Sequence, residues 1–164
     1  MTSPFVAIVV GSDSDLPVMQ ATFDILKKFE IPYEVRITSA HRTPQDTKEF
    51  VESADSRGCA AFIAAAGLAA HLAGAVAAST LTPVIGVPID AGPLQGMDAL
   101  LSTVQMPGGI PVATVAIGKA GAKNAGYLAT QIIAVTDASV KEKLIAEREA
   151  NAQAIRDKNK TLNV

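Results

Sequence analysis

Five short, strand-like runs are spaced along the chain, and each is followed by a turn-forming segment and a helix-like pattern. Continuous Val, Ile and Ala runs, which make up most of them, are typical of strands buried on both faces of a parallel sheet. Strands that alternate with helices predict a doubly wound α/β domain. The predicted strands are 5–10, 33–38, 59–65, 83–88 and 112–117. The predicted helices are 16–29, 44–57, 69–79, 97–104, 124–135 and a C-terminal helix at about 138–159.

Residues 1–164 are expected to form one domain, with the core at about 5–135. The apolar content is 49% and the charged content 18%, which is a high apolar share for a soluble monomer. This excess fits a sheet that is buried on both faces and a subunit that hides further surface in an oligomer. The net charge of −2 provides no basic footprint for nucleic acid.

The single cysteine, Cys59, excludes an internal disulfide and is expected to be a buried, unreactive thiol. The N-terminus lacks the basic segment and the cleavage site of a signal peptide. No apolar run reaches the length of a membrane span without interruption. The chain is therefore expected to be cytoplasmic and to have no membrane partner.

The turns that follow the strands are expected to share one edge of the sheet. Right-handed crossover connections place strand-to-helix turns at the same edge, and ligands of open α/β sheets bind there. The turns expected at this edge, or close to it, are 11–15, 39–43, 66–70, 89–96 and 106–111.

The first of these turns combines Gly11, Ser12, Asp13, Ser14 and Asp15 at the start of a helix. Small residues, hydroxyls and backbone N–H groups at a helix N-terminus suit an anion, above all phosphate. The alternative is that Ser and Asp only cap the helix. The turn is neither a Walker A loop nor a GxGxxG turn, and the Asp15 carboxylate suits sugar hydroxyls better than phosphate.

The second turn places His41 beside Arg42, after Ser39. Arginine holds phosphate in a bidentate fork, and histidine moves protons near neutral pH. The alternative is a surface arginine and a capping histidine. Thr43 is the predicted N-cap of the next helix, because Pro44 suits the first helical turn.

The third turn surrounds His71 with small apolar residues, which let a backbone and a ligand approach closely. His71 is either a structural hydrogen-bonding residue or part of a pocket. Two histidines on separate turns, without Cys or Glu at ligand spacing, do not form a zinc signature. Met106 and the loop after it either wall a pocket for a flat ring or pack as an ordinary loop.

These residues alone predict a cytoplasmic α/β protein that binds a small phosphorylated molecule and transfers a proton through His41. They do not identify the reaction. The ordered motifs are more specific: GSDSD at 11–15, SAHRTP at 39–44, AAHL at 69–72, PVIGVP at 83–88, LS at 101–102, QMPGGIPV at 105–112, AIG at 116–118 and NA at 124–125. Each motif is weak by itself, but the set resembles the N5-carboxyaminoimidazole ribonucleotide mutase family over about residues 5–135.

The resemblance implies a flavodoxin-like, three-layer αβα sandwich with a parallel five-stranded sheet, assembled as a homo-octamer. It implies an isomerase of purine (IMP) biosynthesis with no metal and no organic cofactor. The substrate would be an aminoimidazole ribonucleotide that carries a carbamate on its exocyclic nitrogen, and the product would carry the carboxylate on ring carbon 4. The implied route is decarboxylation, proton transfer and recarboxylation in a pocket that retains carbon dioxide.

The resemblance also implies residue roles. His41 would be the catalytic acid and base, Ser12 and Arg42 would bind the phosphate, and Asp15 would bind the ribose hydroxyls. The expected pocket residues are Gly11, Ser14, Ser39, Ala40, Gly67, Ala69, Ala70, His71, Leu72 and Met106.

The third turn departs from the family pattern, because Ala65, Leu68 and Ala73 replace two glycines and a proline. Leucine at position 68 is expected to be costly if the backbone there has a positive φ. Two other functions stay open. One is direct carboxylation of aminoimidazole ribonucleotide by carbon dioxide, as in the other branch of the family. The other is a non-catalytic nucleotide-binding module on the same fold.

Overall fold

Residues 4–162 are described by a computed structural model, so the ends of the predicted domain, 1–3 and 163–164, lie outside the described residues. The strands form one parallel sheet in the order β2-β1-β3-β4-β5, which is the order of flavodoxin-like folds. The strands are β1 Phe5–Val10, β2 Tyr33–Ile37, β3 Cys59–Ala66, β4 Val84–Pro88 and β5 Ala113–Thr114. The predicted α/β fold is confirmed.

Six helices cover the two faces of this sheet within the described residues. They are α1 Leu16–Lys28, α2 Pro44–Ser56, α3 Leu72–Ala77, α4 Met97–Val104, α5 Gly118–Ala134 and α6 Ala138–Lys160. A short 3₁₀ turn, Asp13–Asp15, precedes α1. None of the helices within residues 4–162 is long and apolar enough to cross a membrane.

The core forms two clusters, one on each face of the sheet, and β1 contributes to both. Ile8 and Val10 pack with residues of α1 and α5, whereas Ala7 and Val9 pack with residues of α2 and α3. Successive side chains of a strand point to opposite faces, so an unbroken apolar run supplies both clusters at once. Cys59 lies in the second cluster, and its burial raises the pKa of the thiol to about 11.

Helix α5 begins six residues earlier than the sequence predicts, at Gly118 instead of Asn124. The prediction placed the glycine-rich segment 118–123 before the helix. In the structure, a Cβ atom at Gly121 would lie 1.6 Å from the carbonyl oxygen of Ala116, so only glycine fits there. The glycine is therefore required by close packing and does not end the helix.

Strand β5 and helix α3 are shorter than predicted. Only Ala113 and Thr114 of the predicted strand 112–117 pair with β4. Helix α3 covers Leu72–Ala77 instead of 69–79. The turn before it contains Leu68 in the left-handed region, with φ of +56°, and residues 69–71 belong to this connection and not to the helix.

Helix α6 is attached to the rest of the chain mainly through its first half. Val140 and Leu144 are buried against the core. Glu147 accepts a hydrogen bond from the Tyr127 hydroxyl at 2.6 Å and one from Lys28 Nζ at 2.5 Å. Burial, together with the hydrogen bond to Glu147, raises the pKa of Tyr127 to about 12, so this phenol remains a donor at neutral pH.

Candidate active site

A cavity of about 540 Å³ opens at the edge of the sheet where β1, β2 and β3 end. The turns that follow these three strands form most of its walls, and Ala91 in the loop after β4 completes them. The lining residues are Gly11, Ser12, Ser14, Asp15, Ser39, Ala40, His41, Arg42, Ala66, Gly67, Leu68, Ala69, His71, Leu72 and Ala91. The structure therefore brings together most of the residues that the sequence analysis assigned to a site.

Two expected pocket residues are not among those that line the cavity. Ala70 is buried beside it, and the Met106 sulfur lies near Gly74 of α3. The loop 106–111 connects the end of α4 to the start of β5, so it does not follow a strand directly. Sequence reasoning also missed Ala66, Leu68 and Ala91 as lining residues, because small or apolar side chains carry no chemical signal.

The first turn is held together by its own polar groups. Ser12 N donates to the Asp15 carboxylate at 3.1 Å, and Ser14 N donates to Ser12 Oγ at 3.3 Å. Ser14 Oγ and Ser12 Oγ are also hydrogen-bonded, at 2.9 Å. This is a capping box, as the capping alternative predicted. The backbone N–H groups of Ser12, Ser14 and Asp15 are therefore already hydrogen-bonded within the turn.

Asp15 is the one buried carboxylate of this turn, with 6% of its surface exposed. Burial raises the pKa of its carboxyl, and repulsion from Asp13 adds to the rise. Hydrogen bonds from Ser12 and Ser14 oppose the rise without cancelling it. The ionised form is therefore less stable in the folded chain than in the unfolded chain, so Asp15 lowers folding stability as the pH rises through its folded-state pKa.

We expect Asp15→Asn to increase thermal stability at neutral pH, raising Tm by a few degrees. Asparagine is neutral, and its amide oxygen can still accept from Ser12 N. The gain should disappear below about pH 3, where Asp15 is largely protonated in both the folded and the unfolded chain. Thermal melts across this pH range measure the effect. Asp24→Asn, at an exposed position of α1, is the matched control; an equal gain in that variant would contradict the prediction.

The second turn is closed by threonine and serine side chains. Ser39 N donates to Thr43 Oγ1 at 2.9 Å, and Arg42 N donates to Ser39 Oγ at 3.1 Å. Thr38 Oγ1 bonds both Thr43 Oγ1 and Thr47 Oγ1. Thr43 stands at the N-cap position, but its side chain makes no capping hydrogen bond. The predicted N-cap position is confirmed, but the capping hydrogen bond expected from Thr43 is not formed, because its hydroxyl closes the turn instead.

The second and third turns meet through their histidines. His41 Nε2 lies 2.7 Å from His71 Nδ1, and the two rings are nearly perpendicular. A hydrogen bond between two imidazole nitrogens needs one donor and one acceptor, so at least one of the facing nitrogens carries no proton. The pair is exposed to the cavity and is suited to accept, hold and return a proton.

Arg42 presents the only arginine side chain among the described residues that line the cavity. Within residues 4–162 no carboxylate lies within 4.0 Å of its guanidinium nitrogens. By contrast, Arg57 is paired with Glu34. A guanidinium without a carboxylate partner at the rim of a cavity is available to bind an anion.

Leu68 in the third turn has φ of +56°, in the left-handed region that favours glycine. This conformation costs a leucine about 1 kcal/mol or more. The expectation from sequence, that a positive φ here would make leucine costly, therefore applies. Its side chain lines the cavity and is 52% exposed.

The cavity thus combines a hydroxyl-bearing turn, a carboxylate, an unpaired guanidinium and a histidine pair with a wall of alanine and leucine. Polar groups on one side suit a phosphorylated, hydroxyl-bearing ligand, and the histidines can move a proton beside an apolar surface. Within residues 4–162 no group of three or more His, Cys, Asp or Glu side chains is arranged to hold a metal ion.

A model of the AIR carboxylase family matches residues 5–154, which include the whole cavity and most of α6. The chain belongs to the AIR carboxylase family. The resemblance drawn from the motifs is confirmed, and it extends further towards the C-terminus than residue 135.

Relatives of this family cover nearly the whole chain. The N5-carboxyaminoimidazole ribonucleotide mutase of Bacillus subtilis is 52% identical over 152 residues, which are 93% of this chain and 94% of the relative. That of Pyrococcus abyssi is 53% identical over 146 residues, covering 89% and 83%. The crystal structure of Treponema denticola PurE matches with a TM-score of 0.89 at 30% identity, covering 98% of this chain and 99% of that one.

Proposed function

We propose that this chain is an N5-carboxyaminoimidazole ribonucleotide mutase, an isomerase of purine biosynthesis. The observation that carries the proposal is a single cavity that holds a histidine pair, an unpaired arginine and a serine-rich turn. This cavity occurs in a chain whose sequence is about half identical to those of proteins with that name.

The reaction moves one carboxylate group without net consumption of protons. In the first half, the bond between the exocyclic nitrogen and the carboxyl carbon breaks, carbon dioxide leaves, and the nitrogen gains a proton. In the second half, ring carbon 4 attacks carbon dioxide, the new carbon–carbon bond forms, and carbon 4 loses its proton. One base that gives the first proton and takes the second is sufficient for both halves.

We assign this proton transfer to His41. Its ring lines the cavity, where Nε2 shares a hydrogen bond with His71 Nδ1, and imidazole exchanges protons near neutral pH. His71 contacts that nitrogen directly, so it is suited to orient the His41 ring and to fix the position of the shared proton.

We assign substrate binding to the other polar residues of the cavity. Arg42 binds the phosphate through its guanidinium, together with the hydroxyls of Ser12 and Ser14. Asp15 accepts hydrogen bonds from the ribose hydroxyls, most strongly in its ionised form. Its place in the lining of the cavity, beside Ser12 and Ser14, supports this role.

Product formation from two alternative substrates tests the function. Freshly prepared N5-carboxyaminoimidazole ribonucleotide and, separately, aminoimidazole ribonucleotide with bicarbonate are incubated with the purified chain. The 4-carboxylated product is quantified at initial rate against blanks without protein. We expect the carbamate to react much faster. Equal or faster reaction from bicarbonate would identify a direct carboxylase, and tight binding without either reaction would identify a nucleotide-binding module.

We also propose that eight copies assemble, that residues 1–164 form one domain and that the enzyme is cytoplasmic, as the resemblance implies. An apolar stripe along and before α4 supports assembly, because Leu94, Met97, Leu101 and Val104 recur at intervals of three or four residues and are all about half exposed. Such a stripe on one helix face is typical of a protein interface.

We expect Leu101→Glu to reduce the mass of the assembly in solution while the subunit stays folded. A charged side chain placed in an apolar interface loses its hydration without gaining a partner, which costs several kcal/mol per copy. Light scattering measures the mass, and circular dichroism checks the fold. Leu81→Glu, at a fully exposed loop position outside the stripe, is the control. An unchanged mass for Leu101→Glu would remove α4 from the proposed interface.

A further inference from the structure

The turn that carries His41 and Arg42 is not held in place by burial. None of residues 39–43 is buried, and the side chains of His41 and Arg42 are exposed to the cavity. Of the five residues, Ala40 packs against a core cluster. The position of the turn is therefore determined largely by its hydrogen bonds.

Two buried threonines flank this turn in the sequence. Thr38 precedes it and is 5% exposed, and Thr47 lies in the first turn of α2 and is 3% exposed. Thr38 N donates to the carbonyl oxygen of Val10 at 2.9 Å, so Thr38 continues the pairing of β2 with β1. Thr47 N donates to the carbonyl oxygen of Thr43 at 3.1 Å, which begins the helix. Each threonine therefore belongs to a regular element beside the turn.

The hydroxyls of these threonines form a chain that ends on the backbone of Ser39. Thr38 Oγ1 lies 2.6 Å from Thr47 Oγ1 and 3.1 Å from Thr43 Oγ1. Thr43 Oγ1 in turn donates to the Ser39 carbonyl oxygen at 3.3 Å and accepts from Ser39 N at 2.9 Å. If each hydroxyl donates to the next, from Thr47 through Thr38 to Thr43, every hydroxyl hydrogen has an acceptor.

Ser39 passes this restraint on to the residues that face the cavity. Arg42 N donates to Ser39 Oγ at 3.1 Å, and Thr43 N donates to the Ser39 carbonyl oxygen at 2.9 Å. His41 lies between these contacts, and its Nε2 is 2.7 Å from His71 Nδ1. A displacement of Ser39 would therefore move the guanidinium of Arg42 and change the contact between the two histidines.

We propose that Thr38 and Thr47 are positioning residues for the turn that carries His41 and Arg42. The effect on the reaction rests on the proposed function. Neither threonine lines the cavity, so both act through Thr43 and Ser39. Linked hydroxyls polarise one another, and a buried network in which every member is bonded is rigid. The network thus holds the turn in one position before the substrate binds.

Replacing Thr47 with valine tests this role, because valine keeps the shape of threonine and removes the hydroxyl. We expect kcat/KM to fall by about 10-fold, since a misplacement of about 1 Å in a site costs about 100-fold. Thr47→Ser keeps the hydroxyl and should restore most of the rate. Thr130→Val is the matched control, because Thr130 is fully buried and donates to the Gly126 carbonyl inside α5. It should match the unsubstituted chain.

A double variant separates positioning from stability. Thr47→Val alone leaves the buried Thr38 hydroxyl with one partner fewer, which lowers stability. Thr38→Val combined with Thr47→Val removes both buried hydroxyls, and such a paired replacement is nearly neutral for folding. The double variant should therefore melt close to the unsubstituted chain and still lose about as much kcat/KM as Thr47→Val, because Thr43 has lost its buried partners.

Hydrogen exchange measures the turn without any turnover. By NMR, the amides of Ser39 and Arg42 should exchange severalfold faster in the double variant, and those of α5 should not change. Unchanged kcat/KM and unchanged exchange in the double variant would overturn the inference. Equal losses of kcat/KM in Thr47→Val and Thr47→Ser would also overturn it. If the unsubstituted chain forms no 4-carboxylated product from the carbamate, the proposed function fails, and the exchange rates still test the positioning of the turn.

Discussion

Replacing His41 with asparagine is expected to lower kcat by about 10³-fold, since general acid–base groups typically contribute factors of this order. The amide of asparagine reaches only about as far as Nδ1 of histidine. It therefore leaves the position of Nε2 empty, and Nε2 is the atom that faces His71 at 2.7 Å. Asparagine also has no proton to give or take near neutral pH. Steady-state kinetics with the carbamate substrate measure the loss.

Binding should largely survive this substitution, because Arg42 and the serine-rich turn remain. Calorimetric titration with the 4-carboxylated product is expected to give a Kd within a few-fold of the unsubstituted chain. His71→Asn is the informative comparison, because its amide can still occupy the position of Nδ1 and contact His41. We expect a much smaller loss of kcat there. If His71→Asn lowered kcat as much as His41→Asn, proton transfer would require both histidines and not His41 alone.

Replacing Arg42 with alanine is expected to raise KM by about 10- to 100-fold with a smaller effect on kcat. A hydrogen bond to a charged group contributes about 1.5–3 kcal/mol, and each 1.4 kcal/mol is tenfold in affinity. The phosphate lies away from the reacting atoms. Loss of its contact with Arg42 therefore weakens the binding of the ground state and of the transition state alike. Arg42→Lys should restore part of the affinity, because lysine offers charge without the bidentate fork.

Arg36→Ala is the matched control for this experiment. Arg36 lies on β2, a few residues before the same turn, but its guanidinium stacks over the Phe50 ring at 5.4 Å and does not line the cavity. KM should therefore be unchanged in this variant. An unaltered KM in Arg42→Ala would show that Arg42 is a surface arginine that does not bind the phosphate, which is the alternative that the sequence left open.

The sequence was sufficient to predict those elements that are determined by a short segment of the chain. Val, Ile and Ala runs predicted β1, β3 and β4 within one residue at each end. Pro44 correctly predicted the start of α2. The three turns after β1, β2 and β3 were correctly predicted to lie together, and they line the cavity. These features depend on burial on both faces of the sheet and on the backbone requirements of a helix start. Both can be recognised within a short segment of the sequence.

Features that depend on packing between distant segments were beyond the sequence. The sequence placed the start of α5 after Gly118 and Gly121, but both lie in the helix, and residue 121 must be glycine because the Ala116 carbonyl leaves no room for a Cβ atom. The direct contact of His41 with His71 required the strand order, which the residues alone did not provide. The seating of Leu68 on Gly92 likewise joins two turns whose approach no single segment encodes.

The strand order has a consequence for the histidine pair. Strands β2 and β3 lie on either side of β1, so the turns that carry His41 and His71 begin about 10 Å apart, at twice the spacing of neighbouring strands. The hydrogen bond between the two rings therefore bridges the end of β1. This contact links the orientation of His41 Nε2, the nitrogen that we propose to exchange the proton, to the spacing of the central strands. The ring is therefore oriented before substrate binds, which reduces the entropy that has to be lost in each catalytic cycle.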